Sequence, residues 1–153
     1  MDFYCFDTPV GYMALAAEED RLVRVYLPNA PTPRLMPRET PLLKKAADEI
    51  LEYLSGTRKA FDLPLAPECT AFQQKVWQAL EHVPFGQVRS YKELAEAVDC
   101  PEGFQAVGGA LSANPLPILI PCHRVVGADG TPGGYSGGAE LKKHLLTLEG
   151  YVK

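Results

Sequence analysis

The sequence predicts an α/β (α+β) chain: a small N-terminal antiparallel sheet with one helix, then a mostly helical C-terminal half holding a helix-turn-helix. Three patterns predict it. Short runs of strand-like alternation fill the first thirty positions, apolar residues recur at helical spacing from residue 70 onward, and prolines crowd the connection between first sheet and first helix.

Taken in order, "FYCF", "GYMALA" and "RLVRVYLP" read as three antiparallel strands separated by "DTPV" and "AEED". "PNAPTPRLMPRETP" is loop. "PLLKKAADEILEYLSGT" places Leu42, Leu43, Ala46, Ile50, Leu51 and Leu54 on one helical face, with Gly56 as the stop. "AFDLPLAP" predicts a short strand and linker, and a cut near residue 67 divides the chain into domains 1–67 and 68–153. "TAFQQKVWQALEHV" opens with Thr70 and Gln73 at capping-box spacing and is broken by "PFG". A second box, Ser90 and Glu93, opens "SYKELAEAV". After the tight turn "DCPEG", a third helix, "FQAVGGALSAN", ends before Pro115. Two helices joined by so short a turn outline a helix-turn-helix. The apolar run "PILI" predicts a buried strand ended by Pro121, and "GAELKKHLLTLEG" a last helix closed by Gly150.

Length and composition exclude several classes. A chain of 153 residues with 46% hydrophobic and 22% charged residues can bury a real core. No stretch approaches the roughly 18 apolar residues that cross a bilayer. The acidic N-terminus lacks a positive segment followed by an apolar one, so no secretory signal is visible and a cytoplasmic location is expected. Cys5, Cys69, Cys100 and Cys122 form no C-x-x-C pair and have no histidine at zinc-ligand spacing, so no metal is expected. The first three read as small semi-buried residues. A net charge of −4 leaves any nucleic-acid contact to a local patch and helix N-termini.

Only Cys122 has chemically suggestive neighbours. In "PILIPCHRVVG" a thiol, an imidazole and a guanidinium follow one another where the chain leaves an apolar run. A free thiol, with a reference pKa of about 8.5, needs a base or a positive charge to become a nucleophile. His123 is that base only if the chain turns here or a water intervenes, because adjacent side chains of an extended segment point to opposite faces. Glu149 is a candidate to orient the imidazole. It sits in the last turn of a helix, where an anion opposes the dipole, and a broken local rule often has a tertiary cause. His82 and His144 read as surface residues.

Two glycine-rich stretches stay open to two readings each. Gly108 and Gly109, with Ala106, Ala110, Ser112 and Ala113, make a narrow rod suited to packing against another helix or to pressing into a nucleic-acid groove. "GADGTPGGYSGG" has six glycines in twelve residues. It is either a surface hinge or the wall of a pocket for a planar ligand, with Tyr135 and Ser136 as flat face and hydroxyl.

"NPLPILIPCHRVVG", then "GYSGG" and "LEG", resembles the active-site signature of the O6-alkylguanine-DNA alkyltransferases. The similarity runs back through "FQQKVWQALEHVPFGQVRSYKELA" and "AVGGAL", covering residues 68–150, and more loosely through "FDTPVGYMALA" and "PLLKKAADEILEYLSG". The resemblance implies single-turnover, irreversible transfer of an alkyl group from O6 of guanine to Cys122, with O4 of thymine as a second candidate target. It implies that His123 acts as base through a water, Glu149 polarises it, and Tyr91 protonates the departing guanine. Tyr135, Ser136, Asn114 and Val125 would serve the substrate pocket, with Asn114 also fixing the turn before the thiol. Gln105, Ala106, Gly108, Gly109, Ser112 and Ala113 would meet the minor groove of double-stranded DNA while the damaged base is rotated out of the stack. A monomer is expected, with no cofactor, metal or membrane.

One position departs from the family pattern. An arginine that fills the gap left by the flipped base is replaced by Gln105, which lacks the charge and the cation–π stacking. A non-catalytic sensor of the alkyltransferase-like type is one alternative, opposed by Cys122. A Cys–His–Glu hydrolase is another, for which the chain shows no evident oxyanion hole.

Overall fold

The computed structural model describes all residues except 29, 101, 102, 128, 131–134, 136, 152 and 153, and the side chain of Phe104 is likewise not described. Two compact units emerge: residues 1–68 with 115–119, and residues 69–114 with 120–153.

The first unit is built on an antiparallel sheet of order β1 (Asp2–Thr8), β2 (Gly11–Glu18), β3 (Arg21–Tyr26). Its middle strand carries the continuous buried run Met13–Ala17, as a strand covered on both faces should. Glu19 and Asp20 both take positive φ, the conformation a two-residue hairpin demands. Helix α1 (Pro41–Leu54) starts from Thr40, whose hydroxyl accepts the Leu43 amide at 3.2 Å. Its buried face is Leu43, Ala46, Ala47, Glu49, Ile50, Tyr53 and Leu54. The predicted Leu42 and Leu51 lie at its margin, because Tyr53 draws the stripe toward Phe61 with ring centroids 5.5 Å apart. "AFDLPLAP" is no full strand. It makes one bridge, Leu22 to Leu65, since its prolines supply too few amide donors for a ladder.

Glu49 is 3% exposed and holds the chain after α1 in place. It accepts the Asp62 amide at 2.9 Å and pairs with Arg58 at 3.5 Å and Lys45 at 3.8 Å. Glu49→Ala strands that amide, and we expect a loss of about 1–3 kcal/mol in urea unfolding.

The second unit holds α2 (Ala71–Glu81), β4 (Arg89–Ser90), α3 (Tyr91–Ala97), α4 (Phe104–Ser112), β5 (Val125–Val126) and α5 (Ala139–Leu148). Both predicted capping boxes form, Thr70 with Gln73 and Ser90 with Glu93. Helix α3 ends with Asp99 at φ 57° and the Cys100 amide returning to the Ala95 carbonyl, which turns the chain sharply toward α4. Helices α3 and α4 are therefore a helix-turn-helix. Trp77 donates from Nε1 to the Ala110 carbonyl at 2.9 Å, fastening α4 to α2.

The buried strand predicted before the cysteine does not form. Residues 115–121 are apolar and buried for the most part, but they turn at Ile118 and Leu119, and Ile118 sits at φ 74°. Pro115, Pro117 and Pro121 recur through the segment and remove the amide donors that a ladder needs. A β-branched residue in the left-handed region is strained, and here it lies four positions before the thiol.

Candidate active site

Three local structures converge on the Cys-His-Arg triplet. Beyond Pro121 the chain winds into a short 3-10 turn, Cys122–Arg124, so successive side chains no longer point to opposite faces. Strand β5 follows at once and pairs in parallel with β4, Arg89 opposite Val125 and Ser90 opposite Val126. That register carries Tyr91, the first residue of α3, toward the cysteine. The third structure is the end of α5. Gly150 at φ 92° closes it, with the Gly150 amide on Thr147 and the Tyr151 amide on Leu146, leaving Glu149 as the C-cap.

The side chains meet in a buried network. His123 is fully buried, Glu149 is 5% exposed and Arg124 7%. His123 Nε2 lies 2.7 Å from Glu149 Oε2. Arg124 donates to the same carboxylate through Nε at 2.8 Å and Nη2 at 3.0 Å, and through Nη1 to the Val83 carbonyl at 2.7 Å. Since a carboxylate held by an arginine fork accepts and does not donate, the imidazole proton sits on Nε2. Nδ1 then carries the lone pair that can take a proton. The expected orienting role of Glu149 therefore has its geometry, and the unfavourable position at a helix end is offset by three charge-assisted bonds to its carboxylate.

Burial pushes the Cys122 thiol above its ordinary value. A hydrogen bond from Asn114, the charge of Lys142, the backbone of the turn and the Tyr135 side chain pull the other way. Burial also lowers the His123 pKa, against the hydrogen bond and charge of Glu149 and with help from Arg124 and Lys142. Both groups thus rest neutral near pH 7, a thiol beside a neutral base. Lys142 itself is 1% exposed and its pKa is drawn down to about 8 by burial, partly restored by Cys122.

Asn114 donates from Nδ2 to the Ile120 carbonyl at 3.0 Å, pinning the chain just ahead of the thiol. Tyr91 is half-buried, and its hydroxyl is pushed up by burial and then by the charge of Cys122. Tyr135 stands edge-on to His123, ring centroids 6.5 Å apart and planes at 82°. Val125 has no exposed surface, so its side chain can support the site only from behind. Ser136 lies outside the described residues.

Helix α4 presents a second surface. Val107, Ala110 and Leu111 face inward, while Gln105, Ala106, Gly109, Ser112 and Ala113 are exposed and Gly108 partly so. A Cβ built on Gly108 or Gly109 meets no described atom within 4 Å. Among the described residues, close helix packing therefore does not account for these glycines. They leave a smooth, uncharged outer face. Of the other residues singled out, His82 and His144 are exposed, as is Cys69, which the sequence placed as semi-buried.

Two family models match the chain: the 6-O-methylguanine DNA methyltransferase, ribonuclease-like domain over residues 3–67, and the DNA binding domain of the same family over residues 71–151. The chain belongs to the 6-O-methylguanine DNA methyltransferase family. Among curated relatives it is 43% identical to the constitutive methylated-DNA–protein-cysteine methyltransferase of Bacillus subtilis, covering 97% of this chain and 96% of that one. It is 38% identical to the methylated-DNA–protein-cysteine methyltransferase of Methanosarcina acetivorans over 98% and 99%. Among solved structures, Mycobacterium tuberculosis OGT in complex with DNA superposes with a TM-score of 0.90 at 36% identity, covering 97% of this chain and 92% of that one.

At the centre of this 6-O-methylguanine DNA methyltransferase stand two further charged residues, Lys142 and Arg124. Lys142, Leu145, Leu146 and Glu149 form one stripe of α5 at spacings of three and four, so the helix that delivers Glu149 also delivers a buried cation. In the sequence Arg124 reads only as a candidate activator of the thiol, and its bonds to Glu149 have no signature in the spacing.

Proposed function

We propose that this chain carries out its family's direct-reversal repair through Cys122, taking the methyl group from O6 of guanine in double-stranded DNA. His123 Nδ1 receives the thiol proton, directly or through a water. The thiolate sulfur attacks the methyl carbon, the carbon–O6 bond breaks, and its electron pair stays on guanine, to which Tyr91 supplies a proton. A thioether results. No neighbouring group can cleave a carbon–sulfur bond at neutral pH, so each molecule acts once. The observation that carries this reading is the His123–Glu149 contact of 2.7 Å in the turn that begins with Cys122.

Because Cys122 is 5% exposed and O6 lies within the stack, the nucleotide must rotate out of the duplex to reach it. Asn114 holds the chain before the thiol, Tyr135 forms a flat wall, and Val125 supports the site from behind, while the hydroxyl of Ser136 is the candidate hydrogen-bond donor to the base. The outer face of α4 enters the minor groove, where its missing side chains allow close approach. O4 of thymine is a second substrate. The chain works as a monomer in the cytoplasm, and among the described residues no helix is long and apolar enough to cross a membrane.

The test is intact-mass measurement after incubation with duplex oligonucleotide carrying labelled O6-methylguanine. One methyl group per chain, with unmodified guanine released in the DNA, is the expected result. Tight binding without methylation would identify a sensor of the alkyltransferase-like type, and hydrolysis of an ester would identify a hydrolase.

The uncharged α4 face adds a prediction. Gln105→Arg places a cation where base stacking and phosphates are both in reach, so duplex affinity should rise about tenfold and the salt dependence steepen by about one counterion. Fluorescence anisotropy across a salt series measures both. Unchanged affinity would show that α4 does not enter the groove.

A further inference from the structure

No step of the proposed transfer uses Arg124, yet it makes three described hydrogen bonds within the network. Its fork takes both oxygens of Glu149, and its remaining described bond goes to Val83, just beyond the C-terminus of α2. A guanidinium is suited to that helix end, where carbonyls are left without amide partners. The carboxylate is therefore shared. Among the described hydrogen bonds, Oε1 accepts from Arg124, while Oε2 accepts from Arg124 and His123 together.

Sharing has a consequence for the base. A carboxylate facing an imidazole by itself favours the imidazolium, which has no lone pair to accept the thiol proton. The same carboxylate already neutralised by a guanidinium still accepts the Nε2–H bond and so still orients the ring, but it offers less charge to stabilise a second proton. We propose that Arg124 is a positioning residue for the transfer reaction, dividing the charge of Glu149 so that His123 is held in the Nε2–H form and kept neutral for proton abstraction.

Other charged and titratable groups bear on the imidazole from each side. Lys142 and Glu149 do so from α5, Cys122 and Arg124 from the 3-10 turn, and Tyr135 from the loop before α5, with Tyr91 of α3 beside the thiol. Lys142 and Arg124 both work against protonation of His123, and Glu149 works for it. Arg124 donates to the carboxylate through Nε and Nη2, so it acts through orientation as well as charge. This inference rests on Cys122 being the methyl acceptor.

The experiment is the pH profile of single-turnover methyl transfer for the wild type, Arg124→Gln and Arg124→Lys. Glutamine keeps hydrogen-bonding capacity without charge, and lysine keeps charge without the fork. In the glutamine variant Glu149 faces His123 with its full charge, so the imidazole pKa rises. The acid limb of the profile should then move to higher pH by about one unit. In the lysine variant the limb should stay within a few tenths of a unit of wild type, while the plateau rate falls about tenfold. A limb that coincides in wild type and glutamine variant, with only a lower plateau, would make Arg124 merely structural and overturn the proposal.

Should the glutamine variant fail to fold, nitrogen-15 NMR of His123 in the lysine variant decides. Retention of the neutral Nε2–H form below pH 6.5 supports the assignment, and an imidazolium at pH 7 overturns it. A wild-type protein that never acquires a methyl group would instead remove the functional reading itself, and the two failures are distinguished by that control.

Discussion

Cys122→Ser is expected to abolish methyl transfer, by more than 10⁴-fold and to below detection, while lesion-containing duplex is still bound. In the proposed reaction the reason lies in the base. A burial-lowered His123 can take a proton from a thiol that Asn114, Lys142 and Tyr135 all help to ionise. A serine hydroxyl is far less acidic than a thiol, and the same imidazole cannot generate an alkoxide from it. The fold should survive. The new hydroxyl is buried, but Asn114 already favours charge on that atom, so the cost should be on the order of 1 kcal/mol. Intact mass after incubation with methylated duplex, alongside gel-shift binding of the same duplex, tests both halves. A methyl group appearing on the serine variant would move the acceptor elsewhere in the chain.

The elements that were legible in advance are those whose signals are local. Thr70 with Gln73 and Ser90 with Glu93 satisfy helix N-termini by themselves, and both boxes form where they were read. Glu149 was legible because it violates a local preference, and the violation has its cause in His123 and Arg124. The segment before the cysteine departs from the expected strand for the opposite reason. Apolar residues report burial without reporting backbone conformation, and the prolines that prevent a ladder are spaced so as to leave the apolar pattern intact. Lys142 was missed because, next to Lys143, it reads as the solvated side of an amphipathic helix. Its spacing from Leu145, Leu146 and Glu149 was the available signal. The two readings of Gly108 and Gly109 needed coordinates, since only the space around a missing Cβ separates packing from an open face.

Glu149→Gln should be the most damaging substitution for stability and the second most damaging for transfer. Its carboxylate takes three described hydrogen bonds from two side chains, and the three residues are nearly or fully withdrawn from water. An amide can accept on one oxygen only, and its NH₂ group must face a guanidinium or imidazole N–H, donor against donor. Arg124 is left buried with its charge uncompensated. Breaking a buried pair from one side typically costs about 3–5 kcal/mol, and we expect that range in urea unfolding. Transfer should slow about 10²–10⁴-fold, because the imidazole loses the acceptor that fixes its tautomer and the carboxylate that steadies its protonated form. If the damage comes from the orphaned guanidinium and not from lost packing, removing the partner as well should relieve it. The double variant Glu149→Gln with Arg124→Met is therefore expected to unfold at higher urea than Glu149→Gln alone, yet to transfer no faster. Stability recovered without activity would separate what the ion pair does for the fold from what the carboxylate does for the base. A double variant less stable than both singles, with effects that simply add, would mean that Arg124 and Glu149 are not energetically coupled.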